Sequence, residues 1–358
     1  MLKIGIDAGA TTSTESAPFG NNTFTKELLS ALGRVDSENE YTLYTQTKIS
    51  DKNLPQNFAA KCLMPLRGWM KLRLSVEEFF HPKNIFLALN QSAPLFTFAR
   101  KIYFLHGLSW YFFPQYYTKS YRQLRSQLNE AVKRSHKIVV SSARVKKEIL
   151  DIFPKHELLK DKIVVLSFGV PVDLLSKVTK YRKKKILLFV GMDQPIKDIP
   201  FLLEAFSRLI TKPKYAQYIL HLVGPERANY LDLMLQLKIP ANKVIFTPPT
   251  ANKQKLIAYY HEAECLLSAS HYESFNLPIL EALSQNTKVV TTKSACISEL
   301  RKYVQLAEGN VADFVRGIKR ALKNNKEIDV ATLQRKFSWE KYAEKLIKIQ
   351  NTVLRSKK

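Results

Sequence analysis

Short apolar runs alternate with helix-period segments along nearly the whole chain, and this alternation limits the fold more than any single motif does. In the first half, residues 3–8, 41–45, 61–65, 84–89, 102–106, 138–142 and 163–168 read as strands, with helical patterns at 23–33, 117–134 and 143–151. In the second half, strands at 186–191, 218–224, 244–248, 265–270 and 288–292 are separated by helical patterns near 199–210, 228–237, 253–263, 278–284 and 311–323. Runs this apolar belong to strands covered on both faces, as in a parallel sheet. A chain of 358 residues exceeds one typical core, so the pattern reads as two doubly wound α/β domains. The division predicted is 1–176, a polar and strongly basic linker at 177–185, and 186–337. A final amphipathic helix over 338–354, opened by Ser338 as cap, completes the chain.

Charge narrows the partners. The net charge is +25, and residues 48–185 hold 27 Lys and Arg against 9 Asp and Glu. A field of that sign draws polyanions or an anionic surface. Basic helical stretches carry aromatic neighbours, as in Arg67-Gly68-Trp69-Met70-Lys71-Leu72-Arg73, a mixture suited to a lipid headgroup interface. No helix-turn-helix, zinc finger or RNA-recognition motif accompanies the charge, so nucleic acid is not expected as a partner. Three cysteines at unrelated spacings form no zinc or disulfide framework. The opening MLKIGIDAGATT reads as a first strand rather than a signal peptide, and it lacks the glycine pattern of a dinucleotide-binding turn. The most hydrophobic region, 84–113, is interrupted by Asn90, Gln91, Arg100 and Lys101. It falls short of the ~20 apolar residues needed to span a bilayer. The reading is a cytoplasmic protein, peripheral on the inner face of a membrane.

Residues 271–283, HYESFNLPILEAL, place two glutamates around a turn in an apolar setting. The run 265–270 before them reads as a buried strand, and Pro278 suits the first turn of a helix with Asn276 as its cap. Glu273 should then lie on the loop at the carboxyl end of a strand and Glu281 in the first or second helical turn. In an open α/β sheet ligands bind at that end of the strands.

The wider stretch HYESFNLPILEALSQNTKVVTT resembles the E-x7-E signature of the family 4 glycosyltransferases, retaining enzymes of the GT-B fold. The resemblance extends over nearly the whole chain through LLFVGMDQPIKDIPFLLEAF, IVVSSARVKKEIL, FSWEKYAEKL and, near the start, GNNTFTKELLSAL. It implies two Rossmann-like domains facing across a cleft, an acceptor side first and a donor side second, with the last helix crossing back to the first domain. It implies a hexosyltransferase that takes a sugar from a UDP- or GDP-sugar and needs no other cofactor. The acceptor would be a glycan or lipid-linked glycan, in cell-envelope polysaccharide or lipopolysaccharide synthesis.

By the same resemblance, Glu281 would accept hydrogen bonds from both ribose hydroxyls, as a carboxylate can. Glu273 would face the donor sugar. The backbone N–H groups of Phe275, Asn276 and Leu277 would hold the diphosphate at a helix start. Lys197 would neutralise the leaving nucleoside diphosphate, and His106 would reach the reacting centre from the first domain. Gly20 would allow close backbone approach to phosphate or acceptor, and Glu299 would lie near the nucleotide. No Asp-x-Asp pair is present to seat a divalent cation, so turnover is expected to be metal-independent. The chain departs from the family pattern at Met192, where an arginine is usual, and at Asn22, Ser274 and Asn276, where glycines are usual. These departures imply an altered phosphate pocket. They motivate an alternative, a weakened or inactive GT-B protein acting as a binding or scaffold subunit.

Overall fold

Every strand among the described residues lies in one of two wholly parallel sheets. The structure is a computed structural model describing residues 1–9, 20–49, 54–64, 68–175, 182–250 and 252–355. The first sheet contains β1 (Lys3–Asp7), β2 (Glu40–Thr45), β3 (Phe58–Cys62), β4 (Ile85–Ala88), β5 (Arg100–Leu105), β6 (Lys137–Val140) and β7 (Ile163–Val165), in the order β3-β2-β1-β4-β5-β6-β7. The second contains β8 (Lys184–Val190), β9 (Ile219–Val223), β10 (Val244–Thr247), β11 (Ala263–Ser268), β12 (Lys288–Thr292) and β13 (Gln305–Ala307), in the order β10-β9-β8-β11-β12-β13. Each order reverses once, between β1 and β4 in the first sheet and between β8 and β11 in the second. The crevice outside the carboxyl ends of the strands at such a reversal is where a ligand fits.

The chain divides into two compact units. One takes the chain up to Gly169 together with Ser338 onward, and the other runs from Val170 to Phe337. In the first unit, β4 is buried at all four positions, and Phe86, Tyr103 and Ile138 join one core with Leu128, Val132 and Ile149 from the covering helices. In the second, Leu187, Leu220, Cys265 and Val290 from four strands pack with Leu203 and Phe206 of helix Ile199–Ile210 and Phe314 of helix Val311–Lys323. Burying such a side chain is worth roughly 1.5–3 kcal/mol, so these contacts fix which face each helix presents. Helix Trp339–Arg355 packs on helix Gly20–Val35 of the first unit. Ser338 Oγ accepts from Lys341 N at 3.3 Å as its cap, and Arg34 pairs with Glu340 at 2.5 Å.

Several expectations shift. The third strand is 58–62 rather than 61–65, because its register on β2 puts Phe58 opposite Tyr41, where the two rings stack at 4.5 Å. Helices Leu74–Phe80 and Val330–Lys336 and strand β13 had no clear sequence pattern. Residues 177–181 of the expected linker lie outside the described residues, while Lys184 and Lys185 already belong to β8. Lys183 is tied inward, donating to Thr287 Oγ1 at 2.9 Å, and burial pushes its ammonium pKa down to about 8. Gly224, just past β9, is required by geometry. Its φ is +117°, and a Cβ there would lie 1.7 Å from the carbonyl oxygen of Gly191. The carboxyl ends of β8 and β9 can therefore close together only around a glycine.

Candidate functional site

The loops after β8 and β11 meet beside the second reversal. The His271 N–H donates to the Ile196 carbonyl at 2.9 Å, joining two segments far apart in sequence. Asp198, in the left-handed region at φ 53°, caps helix Ile199–Ile210 by accepting from Phe201 N at 3.2 Å. That cap fixes the short turn Pro195–Lys197 just before it. The result places Lys197 Nζ 2.7 Å from Glu273 Oε1, and Ser270 Oγ donates to the same oxygen at 2.8 Å. Both charged side chains are mostly buried, with 22% and 12% of their surface exposed. They line a pocket with Ser268, Ser270, Asn276 and Pro278.

Asn276 holds the turn by a route the sequence did not suggest. It occupies the N-cap position of helix Leu277–Ser284 at φ 69°, and its side chain makes no capping bond. Its amide instead donates to Ser268 Oγ and the Ala295 carbonyl, each at 2.9 Å, pinning the turn to β11 and to the loop after β12. The expected side-chain cap is therefore replaced by a cross-brace, because the left-handed backbone turns the amide inward. Pro278 occupies the first turn, where a missing N–H costs nothing. Phe275 is buried and packs edge-on to Phe337 at 6.3 Å, and Leu277 opens the helix.

Glu281 lies in the second turn of that helix and is buried. Burial raises its carboxyl pKa, against the pull of the Tyr260 hydroxyl, which donates to Oε2 at 2.6 Å. Burial and the adjacent carboxylate together raise the Tyr260 phenol well above its ordinary range, so it serves as a fixed donor. Glu299 lies in the loop after β12 and accepts from Ser298 Oγ at 2.8 Å.

The first unit carries His106 and Gly20. His106 directly follows β5, its ring among those of Phe24 and Phe168. Its Nε2–H donates to the Leu89 carbonyl at 2.7 Å. Burial pushes its pKa down to about 4, so the ring is neutral and Nδ1 keeps its lone pair. Gly20 opens helix Gly20–Val35, and a Cβ there would meet no atom of the described residues within 4 Å.

Sequence reading missed three groups. Tyr260 and Ser270 orient the two glutamates, and neither falls in a recognisable pattern. Asp7 ends β1, where it accepts from Gly9 N at 3.2 Å and from Asn90 N and Nδ2 at 3.1 and 3.0 Å. Burial raises its pKa to about 6 despite these bonds. Its position at the close of the first strand was the available signal. Among the described residues, no cluster could hold a metal ion and no helix is long and apolar enough to cross a membrane.

Two parallel sheets, each with one reversal, and a pocket at the second of them define an α/β protein of the GT-B fold. Residues 173–347 match the family model described as glycosyl transferases group 1. A D-inositol 3-phosphate glycosyltransferase of Geodermatophilus obscurus is 33% identical over 180 residues, which cover 45% of this chain and 39% of the relative. The O-antigen chain mannosyltransferase B of Escherichia coli is 26% identical over 303 residues, covering 79% of this chain and 76% of the relative. The chain thus spans less than half of the first relative and about three quarters of the second. The solved structure of Anabaena Alr3699/HepE with UDP-glucose is similar in fold, with a TM-score of 0.70, 14% identity and coverage of 98% of this chain and 100% of that one. Residues 173–347 are thus similar to glycosyl transferases group 1, and the solved structures share the fold.

Proposed function

We propose that this chain is a retaining, metal-independent glycosyltransferase of family 4 that moves a sugar from a nucleoside diphosphate donor to a glycan or lipid-linked acceptor. The observation that carries the proposal is the convergence of Lys197, Glu273 and the Asn276 turn in one pocket at the carboxyl end of β11. A diphosphate entering there offers Lys197 a stronger partner than one carboxylate, while the start of helix Leu277–Ser284 favours negative charge. Released from the ammonium, Glu273 would accept from donor-sugar hydroxyls. Glu281, held by Tyr260, would accept from the ribose diol.

In the reaction the bond from the anomeric carbon to the phosphate oxygen breaks. The acceptor oxygen bonds to that carbon on the same face, and its proton passes to the departing phosphate. The protein contributes orientation and charge stabilisation rather than a covalent intermediate. A structural neighbour bound to UDP-glucose supports a nucleotide-sugar donor. The O-antigen relative supports an acceptor of the cell envelope, and the basic charge supports an enzyme peripheral on the inner face of the membrane.

A thermal-shift screen against UDP, GDP, ADP and their sugars tests the donor, because a ligand that binds only the folded state raises the melting point. A donor that stabilises the protein and is consumed, with loss of turnover in Glu273→Ala, is the expected result. Stabilisation by a nucleotide without turnover of any of its sugars would favour the scaffold alternative.

A further inference from the structure

The first unit carries an apolar surface that the transfer reaction does not use. Phe79 and Phe80 end helix Leu74–Phe80, and Phe96 and Phe98 lie on the loop that leads into β5. The four rings form one cluster with centroid separations of 4.9 to 6.3 Å. Yet they are 55%, 69%, 46% and 65% exposed. Leu95 and Leu72 extend the patch, at 54% and 65% exposure. The arrangement is built rather than incidental, since the Phe96 N–H donates to Ser75 Oγ at 2.9 Å and the Leu95 N–H to the Lys71 carbonyl at 3.2 Å. Single exposed apolar residues are common, but a contiguous patch of this kind marks a contact surface.

The surrounding charge is net basic, with Glu130 paired to Lys71 at 2.5 Å and 3.9 Å from Arg134. Lys71 and Arg134 reach it through the Leu95 backbone, the Arg134 guanidinium donating to the Leu95 carbonyl at 2.8 Å, and the exposed Arg73 directly precedes helix Leu74–Phe80. Glu77 and Glu78 are the only acids in residues 68–101, and both are turned inward. Glu78 is fully buried and accepts from the Tyr44 and Thr97 hydroxyls at 2.7 and 2.8 Å. Glu77 is held by Lys61 at 2.6 Å.

We infer that this patch is a membrane foot, whose phenyl rings enter the headgroup boundary of an anionic bilayer while the flanking cations meet lipid phosphate. Apolar rings beside a net-basic margin match such a boundary. A second copy of the chain is a poorer occupant, because pairing like patches would oppose cation to cation. The patch lies toward the amino ends of β4 and β5, whereas Asp7, Asn90 and His106 gather at the carboxyl ends. The foot is therefore separate from the chemistry. It rests on the membrane partner proposed above, but its test requires no donor.

The test is co-sedimentation of the full chain with phosphatidylglycerol vesicles and with phosphatidylcholine vesicles, using wild type, the double variant Phe79→Ser/Phe98→Ser, and Arg73→Glu. Each phenyl removed should weaken binding about tenfold. Arg73→Glu should weaken binding to phosphatidylglycerol and leave phosphatidylcholine unaffected, with the effect shrinking as salt rises. Nucleotide-induced melting shifts should be the same in all three proteins, so failure of the foot and failure of the enzymatic reading are told apart. Undiminished vesicle binding by the double variant would overturn the inference. So would absence of vesicle binding together with a wild-type dimer that the double variant abolishes.

Discussion

The two sheets reverse direction in the same way, yet what sits at each reversal differs. At the second, Lys197 after β8 and Glu273 after β11 form an ion pair. At the first, Asp7 at the end of β1 meets Asn90 after β4, and the neutral His106 that follows β5 bonds the Leu89 carbonyl. One crevice holds a cation in an ion pair, and the other holds a carboxyl raised to about 6 by burial together with a neutral imidazole. Under the function proposed above, the contrast would suit a division of labour, with an ionic site for a diphosphate and a hydrogen-bonding site for a hydroxylated acceptor. Geometry alone would make the two crevices equivalent, so side-chain charge is what separates them.

The most severe test of that division is Lys197→Ala. Removing a preorganised charge from the departing phosphate should lower the transfer rate on the order of 10²–10³-fold, read from nucleotide release at saturating donor. Asp7→Asn should leave the rate much closer to wild type. A loss of equal size in both variants would erase the distinction.

The next effect is one of stability against pH. The Asp7 carboxyl pKa is raised by burial from 3.8 to about 6, so its contribution is full below the lower value and lost as pH rises through the upper one. The His106 ring pKa is depressed by burial from 6.5 to about 4, so its contribution is full above 6.5 and lost as pH falls through about 4. In the wild type the two nearly cancel across this window. Asp7→Asn should therefore lose about 2 kcal/mol relative to wild type on moving from pH 7 to pH 4. His106→Gln should show the opposite slope of similar size. Denaturant melts at both pH values would measure each, and flat differences would mean that the first crevice is wetter than its burial implies.

Legibility in the sequence followed the same divide. The strand run 186–191 was readable because burial on both faces leaves an uninterrupted apolar signature. Phe58–Cys62 was not, since Lys61 interrupts it and its register comes from pairing with β2. Glu273, Glu281 and Lys197 were legible through the motif. The inward turn of the Asn276 amide was not, because it depends on a left-handed backbone and on partners in β11 and after β12. Tyr260 and Asn90 came into view only through tertiary contact, since neither a lone tyrosine in a helix nor an asparagine in an apolar stretch announces its partner.

Tyr260→Phe sharpens the picture within the second unit. The buried Glu281 carboxylate would lose its donor, costing about 1–3 kcal/mol. Because burial already raises the carboxyl pKa and the phenol opposes that rise, removing the phenol should cost more at pH 8 than at pH 5. Thermal melts at the two pH values check both statements. A pH-independent loss would assign the tyrosine to packing alone.

The smallest effect on stability, and the one that returns to the first unit, is expected from Gly20→Ala. No described atom approaches the added methyl within 4 Å, and Gly20 opens a helix rather than adopting a left-handed turn. Alanine forms helix more readily than glycine, so stability should be unchanged or rise by less than about 1 kcal/mol. Packing among the described residues thus gives no reason for a glycine at this position. If the open space is kept for a ligand, turnover should fall while the melt does not, and the loss should appear in the Michaelis constant for whichever substrate approaches the helix start. Unchanged kinetics alongside an unchanged melt would remove Gly20 from the site and leave the first crevice to Asp7, Asn90 and His106.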